Sequence, residues 1–328
     1  MEQTRRKAMR QQREKEQTVI CAGALLSLLV IVSVDYGPRV LLLGAVAALT
    51  AYYTELAFLR ISGKKPGARI YRAVLDGEIL LMLMPVTVPV SLLIISCIFA
   101  VIIGNFRIKG DTAPLIPAAP AGYCLAWLIS KKSLLLFPAK KGTVPLFRID
   151  RSILTEGASA VWNRKWSFSS SPLNWITGVR KLPIGSCSLL MLAVIAGVFL
   201  LRRIASREVV LSAVISMTAA YEILTLMQIP GTAAAAAMMT NQFLFAVIFI
   251  YSEKRFAPPR TAGVLFGLLI TSCYISTVRL HGHGDAVMWL GIAAGPAATA
   301  LRLIMRAEKN KRTRAAHHKA PQRKSNKT

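Results

Sequence analysis

One polar stretch, ILTEGASAVWNRKW at residues 153–166, lies near the middle of a chain that is otherwise strongly apolar. It places the hydroxyl of Ser159 directly after Gly157 and Ala158, and indole and basic side chains follow. Such a stretch is either a solvent loop joining two halves of a bundle or a segment whose hydroxyls hold a ligand. The elements on either side must decide between these two interpretations.

Two carboxylates interrupt apolar runs, Glu55 in YYTELAF and Glu222 in TAAYEILTL. An ionisable side chain at membrane depth is costly, so each is by default a candidate functional residue. Both are candidates for a cation path. The alternative is that each lies near a membrane surface and is hydrogen-bonded to a neighbouring helix.

Other chemistries find little support. The five cysteines form no C-x-x-C pair and are typical of small apolar packing residues, so no metal site is predicted. A serine hydrolase is disfavoured because the four histidines lie in a loop and in the carboxy-terminal tail: His281, His283, His317 and His318. No nucleotide-binding motif of the Walker or Rossmann type occurs.

The composition indicates an all-α, polytopic membrane bundle. Of the 328 residues, 54% are hydrophobic and only 17% are charged, whereas a soluble domain has about 25% charged residues. About ten apolar runs could cross a bilayer: 18–34, 39–58, 73–86, 88–104, 115–136, 184–201, 208–227, 232–251, 262–278 and 286–305. Pro85 and Pro89 predict a broken or tightly turned pair of helices between the third and fourth runs.

Lysine and arginine set the expected orientation. They concentrate in the termini and in alternate connections, whereas the short connections on the other side hold only Arg39 and Arg279. The positive-inside rule therefore predicts a multi-pass protein of the plasma (cytoplasmic) membrane, the inner membrane of a bacterial cell, with both termini cytoplasmic. This rule, together with contact between the basic termini and anionic lipid headgroups, explains the net charge of +26, and no nucleic-acid partner is expected.

The expected organisation has five parts. They are a basic cytoplasmic arm (1–17), a first five-helix half (18–136), one long extracytoplasmic loop between helices 5 and 6 (137–183), a second five-helix half (184–306) and a basic, disordered cytoplasmic tail (307–328). Each half has a Gly-containing polar turn ahead of an apolar hairpin, DGE at 76–78 and PIGSCS at 183–188. Paired interruptions of this kind can mark a site at the interface of two repeats.

The order of motifs resembles the RnfD/NqrB membrane subunits of Rnf and sodium-pumping NADH–quinone oxidoreductase complexes. The resemblance covers about residues 18–306. It is carried by the order and spacing of several stretches: DGEILLMLMPVTVPVSLLIISCIFAVIIGNF, APLIPAAPAGYCLAWLIS, LPIGSCSLLMLAVIAGVFLLRRIASREV, NQFLFAVIFIYSEKRFAPPRTAGVLFGLLIT and YISTVRLHGHGDAVMWLGIAAGPAATALRLI.

This resemblance implies a covalent FMN on the long outer loop. The family attaches it to a hydroxyl in a pattern close to Asp-Gly-x-Ser-Gly-Ala-Thr, and here Gly157 and Ala158 match the Gly-Ala and Ser159 takes the attachment position. The pattern's Asp and Ser fall on Ile153 and Glu156. Trp162, Arg164 and Lys165, with Trp166, are expected to seat the flavin ring and its phosphate.

Two hypotheses for the function remain open. In one, the protein is a non-autonomous subunit of a redox-driven ion translocase, which works with other Rnf/Nqr-like subunits and a flavin transferase. Electron transport through FMN would then be coupled to sodium or proton translocation, with Glu55, Glu222, Asp76 and Glu78 along the ion path. In the other, the chain is a drifted paralogue without flavin, acting as a permease or as a structural membrane subunit.

Overall fold

The computed structural model describes residues 2–63, 67–106, 114–138, 144–147, 149, 154–159, 181–228, 234–254, 256–258, 260–281 and 286–319. The first half contains α1 (Glu2–Tyr36), α2 (Arg39–Ile61), α3 (Ala68–Met82), α4 (Val90–Gly104) and α5 (Ala118–Leu135). The second half contains α6 (Leu189–Leu201), α7 (Arg207–Leu226), α8 (Ala234–Met239), α9 (Phe243–Ala246), α10 (Arg260–His281) and α11 (Ala286–Lys319). The prediction of an all-α membrane bundle is confirmed, since every expected apolar run is helical over most of its length.

Four helical segments are long and apolar enough to cross a membrane: Lys15–Tyr36, Arg39–Ile61, Arg207–Leu226 and Met288–Met305. Shorter apolar helices accompany them at Val90–Gly104, Leu189–Leu201, Ala236–Tyr251 and Ala262–Val278. Val90–Gly104 begins after the α3–α4 turn, and Ala236–Tyr251 contains the irregular Thr240–Gln242 turn.

The two halves repeat one packing order. In the first, α2 packs against α3 and α4, and α4 packs against α5; in the second, α7 packs against α8 and α10, and α10 packs against α11. The third apolar segment of the first half ends at the α3–α4 turn, and the third apolar segment of the second half is broken internally between α8 and α9. Small residues allow the close approaches: a Cβ at Gly77 of α3 would lie 2.9 Å from the Ala51 Cβ, and one at Gly267 of α10 would lie 2.9 Å from the Val209 carbonyl oxygen.

The terminal helices extend further than the sequence predicts. α1 begins at Glu2, inside the expected basic arm, and α11 continues to Lys319, through most of a tail that was expected to be disordered. Both extensions are rich in Glu, Gln, Lys, Arg and Ala, which favour helix, and neither contains Gly or Pro. Charge alone therefore does not end a helix that an apolar segment has already nucleated.

Two opposite ends of the bundle matter for the site. The loop end contains the start of α2, the α3–α4 turn, and a short antiparallel pair of strands, β1 (Leu136–Pro138) and β2 (Leu154–Glu156). The basic end contains the amino-terminal part of α3, the end of α4, the α6–α7 turn and the segment 252–258, which line neighbouring cavities.

Candidate functional site

The eighth apolar segment is broken by a polar triplet, Thr240–Gln242, which forms a single 3₁₀ turn between α8 and α9. Asn241 and Gln242 both adopt left-handed backbone conformations, with φ of 55° and 63°. Such conformations cost free energy for residues other than glycine, although Asn tolerates them better than most. After α9 the chain continues as a π-helical turn, Val247–Tyr251, so the helix is irregular on both sides of α9.

The break redirects one backbone donor. In an uninterrupted helix the Asn241 amide would donate to the Ala237 carbonyl. Here it donates instead to the Ser159 Oγ at 2.9 Å, while the Ala237 carbonyl accepts from the Tyr274 hydroxyl at 3.2 Å. Tyr274 is fully buried, and its hydroxyl also accepts from the Asn241 side-chain amide at 3.3 Å. The Ala237 carbonyl and the backbone and side-chain amides of Asn241 are therefore paired by α10 and by the loop between α5 and α6.

The predicted attachment segment approaches this break directly from β2. The Gly157 amide donates to the Leu135 carbonyl and the Ala158 amide to the Lys181 carbonyl, which holds the segment against the end of α5 and the start of the second half. Gly157 lies against the Phe137 ring so closely that a Cβ at this position would overlap the ring carbons. Ser159 is half-buried and is hydrogen-bonded to Asn241. The segment Gly157, Ala158 and Ser159 is thus held by hydrogen bonds beside the break. Trp162, Arg164 and Lys165 lie outside the described residues.

The α3–α4 turn, residues 83–89, joins this site to the first half. The side-chain amide of Gln242 donates to the Leu83 carbonyl at 2.7 Å, so the interruptions of the two halves meet. The Ile184 amide donates to the Met84 carbonyl at 3.1 Å, which places the 3₁₀ turn Ile184–Ser186 beside them. The interruptions that meet are thus 83–89 and 240–242, and not the DGE (76–78) and PIGSCS (183–188) turns that the sequence indicated as a pair; the PIGSCS segment packs beside them.

A buried arginine holds the other side of the same turn. Arg39 is 2% exposed, and its guanidinium donates to the Val86 and Val88 carbonyls at 2.9 Å each. It also donates to the carbonyls of Pro145 and Leu146 in the loop between α5 and α6. Sequence reasoning treated Arg39 only as a sign of orientation; its position after the helix-breaking pair Gly37-Pro38 was the available hint.

Two buried oxygen atoms near the paired interruptions have no hydrogen-bond partner within the described part of the chain, Gln242 Oε1 and Ser186 Oγ. Ser186 is 1% exposed and Gln242 is 7% exposed. Buried acceptors left without donors are uncommon, and each requires a physical explanation such as a bound ion or water. Neutral amide and hydroxyl oxygens at a helix interruption are the type of group that coordinates monovalent cations in transporters.

Glu55 lies on the face of α2 that packs against α4, near the basic end. It is 2% exposed, and its Oε2 accepts from the Asn105 side-chain amide at 2.6 Å, whereas its Oε1 has no hydrogen-bond partner among the described residues. Glu55, Asn105 and Asp76 line a small recess together with Arg69 and Arg72. The recess has a volume of about 20 Å³, which is room for a single water molecule or ion.

The other predicted carboxylates separate into two groups. Asp76 also lines a second cavity, of about 100 Å³, between α1, α3 and the π-helical turn. Glu78, half a turn further along α3, points into the helix interface near Gly44 of α2, and its buried Oε2 has no hydrogen-bond partner among the described residues. Glu222 lies on the exposed face of α7 and does not line the described cavities. Glu55 and Asp76 therefore share one recess, Glu78 lies apart from it in the interface of α3 with α2 near Gly44, and Glu222 is apart from all three.

These features define a class: a multi-pass α-helical membrane protein with interrupted helices in both halves and buried carboxylates between one end and the interruptions. Comparison with known families then gives a particular assignment. The model of the NQR2, RnfD, RnfE family matches residues 6–292, so the chain belongs to this family. By family it is a membrane subunit of an Rnf/Nqr-type electron transport complex, which assembles with other subunits. No protein in the set of curated sequences matches it.

Proposed function

We propose that this subunit carries electrons through an FMN attached covalently to Ser159. The observation that carries the proposal is the hydrogen bond from the Asn241 amide to the Ser159 Oγ. In that bond the hydroxyl acts only as an acceptor. A phosphoester oxygen has lost its proton but keeps a lone pair, so the same bond survives attachment, and the serine fits the group it would hold.

The surrounding residues have separate roles in this proposal. Gly157 allows the chain to pass the Phe137 ring and to present Ser159 at the end of β2. The Asn241 amide orients the Oγ, and Arg164 and Lys165 would neutralise the phosphate while Trp162 covers the ring. FMN, when bound, supplies one- and two-electron redox chemistry, whereas the protein supplies position and electrostatic environment.

The proposed setting is the cytoplasmic membrane. The positive-inside rule assigns the basic end, with Arg69, Arg72 and Lys254, to the cytoplasm, and the loop end with Ser159 to the opposite side. Both termini would then be cytoplasmic, and a flavin transferase acting outside the cytoplasm would load Ser159. The partner subunits would deliver electrons to this flavin and remove them.

A cation path would follow the buried polar groups of the first half. From the basic end, Glu55 and Asp76 share the small recess, and Glu78 lies further along α3, before the interruption at Leu83. Arg69 and Arg72 line the same recess and balance the charge of Glu55 and Asp76, so a cation would enter by exchanging with a guanidinium group, and the unpaired oxygens at the interruption would coordinate it next. We propose that electron transfer at the flavin is coupled to sodium or proton movement along this route.

The alternative function, a permease without flavin, is favoured by one observation. The interrupted segments of both halves meet through the Gln242–Leu83 hydrogen bond, and transporters built from two repeats hold their substrate at such a junction. In this alternative the same carboxylates would bind a small cationic solute. Uptake of a cation by liposomes containing the purified chain, without electron donor or flavin, would support it.

In-gel flavin fluorescence of the chain co-expressed with its transferase tests the flavin proposal. Wild type and S159T are expected to fluoresce, because both keep a hydroxyl nucleophile, and S159A is expected to be dark. The matched control is S133A, which removes the hydroxyl of a serine that pairs with Ser130 near the end of α5. A dark wild-type band, with no mass increase on the peptide that contains Ser159, would refute attachment.

The ion path is tested in the assembled complex by the variants E55Q and E78Q, with E222Q as the comparison. Glutamine at position 55 still offers an acceptor to Asn105, so the fold is preserved while the charge is lost. Both buried variants are expected to lower the rate of cation transport at least tenfold and to keep flavin fluorescence, and E222Q is expected to transport normally. Transport at the wild-type rate by all three variants would contradict the path.

A further inference from the structure

A third cavity at the basic end is lined neither by Gly157, Ala158 and Ser159 nor by the carboxylates of the small recess. It lies between the α6–α7 turn and the segment after the π-helical turn, and its volume is about 470 Å³. Its charged lining consists of Arg203, Arg207, Glu208 and Lys254; this cavity is called the basic cleft below. A volume of several hundred Å³ is typical of a small-molecule site rather than of a gap between side chains.

Backbone contacts hold the two walls of the basic cleft together. The Ser206 amide donates to the Ser252 carbonyl at 2.7 Å, and Ala205 pairs with Glu253 as an isolated antiparallel bridge. Arg203 adopts a left-handed conformation with φ of 54°, which turns the chain sharply between α6 and α7. The backbone that carries Arg203, Arg207 and Lys254 is thus held in place by hydrogen bonds between the two walls.

The charges of the basic cleft favour an anion. Three cationic side chains face one carboxylate, Glu208, which accepts from the Ser206 hydroxyl at 3.1 Å. Arg207 donates from both Nε and Nη2 to the Leu200 carbonyl at 3.1 Å, so its guanidinium is fixed at the rim. Guanidinium and ammonium groups are the usual protein ligands of phosphate. The amino-terminal end of α7 adds the positive end of a helix dipole.

An apolar stripe leads to the basic cleft along α6. Leu190, Val194, Val198 and Leu201 are all exposed, at spacings of four, four and three residues, and therefore lie on one face of the helix. This face ends immediately before Arg203. An apolar surface that runs into a basic cleft matches the shape of an anionic lipid, with acyl chains beside its phosphate.

We propose that the basic cleft binds the phosphate headgroup of an anionic phospholipid whose acyl chains lie along the stripe of α6. Basic pockets between membrane helices on the cytoplasmic side are suited to such headgroups. The basic cleft shares Ala205 and Lys254 with the cavity that contains Asp76, so the bound lipid lies next to the proposed cation entrance. The proposal does not depend on the flavin.

Native mass spectrometry of the purified full chain, titrated with phosphatidylglycerol, cardiolipin or phosphatidylcholine, tests this site. The double variant R203N/K254Q removes two cations from the basic cleft, and asparagine suits the left-handed backbone at position 203. Each basic side chain near a headgroup contributes about fivefold in affinity, so the expected loss for the anionic lipids is roughly 25-fold. The control R60Q/R202Q removes the same charge from exposed arginines that do not line the basic cleft, and less than threefold is expected.

Several results would overturn the proposal. Equal losses in the two double variants would mean that binding follows the general surface charge, and unchanged affinity in R203N/K254Q would exclude the basic cleft. Displacement of the lipid by millimolar phosphate or pyrophosphate would identify a soluble phosphate compound as the ligand instead. The variant R203K/K254R, which keeps both charges, is expected to bind within threefold of wild type; if it loses affinity as R203N/K254Q does, lost packing rather than lost charge is responsible and the proposal fails.

Discussion

Replacing Arg39 by methionine is expected to loosen the loop end of the bundle. Methionine has a similar length and apolar stem but no donors, so the carbonyls of Val86, Val88, Pro145 and Leu146 lose their shared partner. Two of these hydrogen bonds are buried and two are partly buried. Among the described residues, the hydrogen bond from Thr87 to the Leu136 carbonyl would still join the α3–α4 turn to the segment after α5.

The expected loss of folding free energy in R39M is the loss of four hydrogen bonds from a charged donor, less the cost of burying the guanidinium, which the variant no longer incurs. Each bond from a charged donor contributes about 1.5–3 kcal/mol, while burying an isolated cation costs several kcal/mol. Each of the four carbonyls left without this donor costs about 1–3 kcal/mol, and the recovered desolvation cost of several kcal/mol offsets part of the sum, so the net loss is about 3–5 kcal/mol. With an unfolding entropy of about 2.1 cal/mol/K per residue, a loss of this size lowers Tm by roughly 4–7 °C in a chain of this length.

Thermal unfolding of the detergent-purified protein measures this change, and hydrogen exchange locates it. In R39M the amides around residues 84–88 and 144–147 are expected to exchange faster, whereas those of α7 and α10 are not. The control R60M removes an exposed arginine near the other end of the same helix and is expected to shift Tm by less than 1 °C. If R39M unfolds at the wild-type temperature, or if R60M destabilises equally, the buried guanidinium does not hold the turn.

Two further substitutions test the packing of the bundle and the break between α8 and α9. G122A is expected to cost about 1–3 kcal/mol and to lower Tm by about 1.5–4 °C, because its Cβ would lie 2.7 Å from a Leu80 methyl and 2.8 Å from the Ser96 carbonyl. G197A, with no atom within 4 Å, should match or slightly exceed wild type; the reverse order would contradict this packing. Y274F removes the hydroxyl that caps the break, so it is expected to lower the free energy of unfolding by about 1–3 kcal/mol and to speed hydrogen exchange at residues 236–241. Y53F, which changes an exposed tyrosine, is the control. An unchanged exchange rate in Y274F would contradict the role of the hydroxyl.

Much of the fold could be predicted because apolar length and proline positions act locally. The ten apolar runs became helices, and Pro85 and Pro89 flank the turn that separates α3 from α4. The break at Asn241 and Gln242 was missed, since neither glycine nor proline announces it. The only local signal was a polar triplet, Thr-Asn-Gln, inside an apolar run, and asparagine is the residue other than glycine that tolerates a left-handed backbone.

The contacts that build the candidate site could not be predicted from sequence spacing. Ser159 and Asn241 are 82 residues apart, and Gln242 and Leu83 are 159 residues apart. Arg39 illustrates the same limit, because a single basic residue after Gly37-Pro38 is typical of a short outer loop. Its burial depends on carbonyls from two other segments, which only the assembled bundle brings together.

A connection between a flavin at one end and carboxylates at the other requires elements that both sites contact. The hydrogen bonds supply such a series: Ser159 receives the Asn241 amide, the adjacent Gln242 donates to Leu83, and Leu83 directly follows the helix that carries Asp76 and Glu78. Asn241 and Gln242 both have strained, left-handed backbone conformations. A change in the charge or position of the group on Ser159 would therefore act on the part of the helix whose backbone conformation is least favoured. In the proposed function, coupling therefore passes through the break at Thr240–Gln242, since the described hydrogen bonds connect Asn241 to Ser159 and Gln242 to Leu83, the residue after α3.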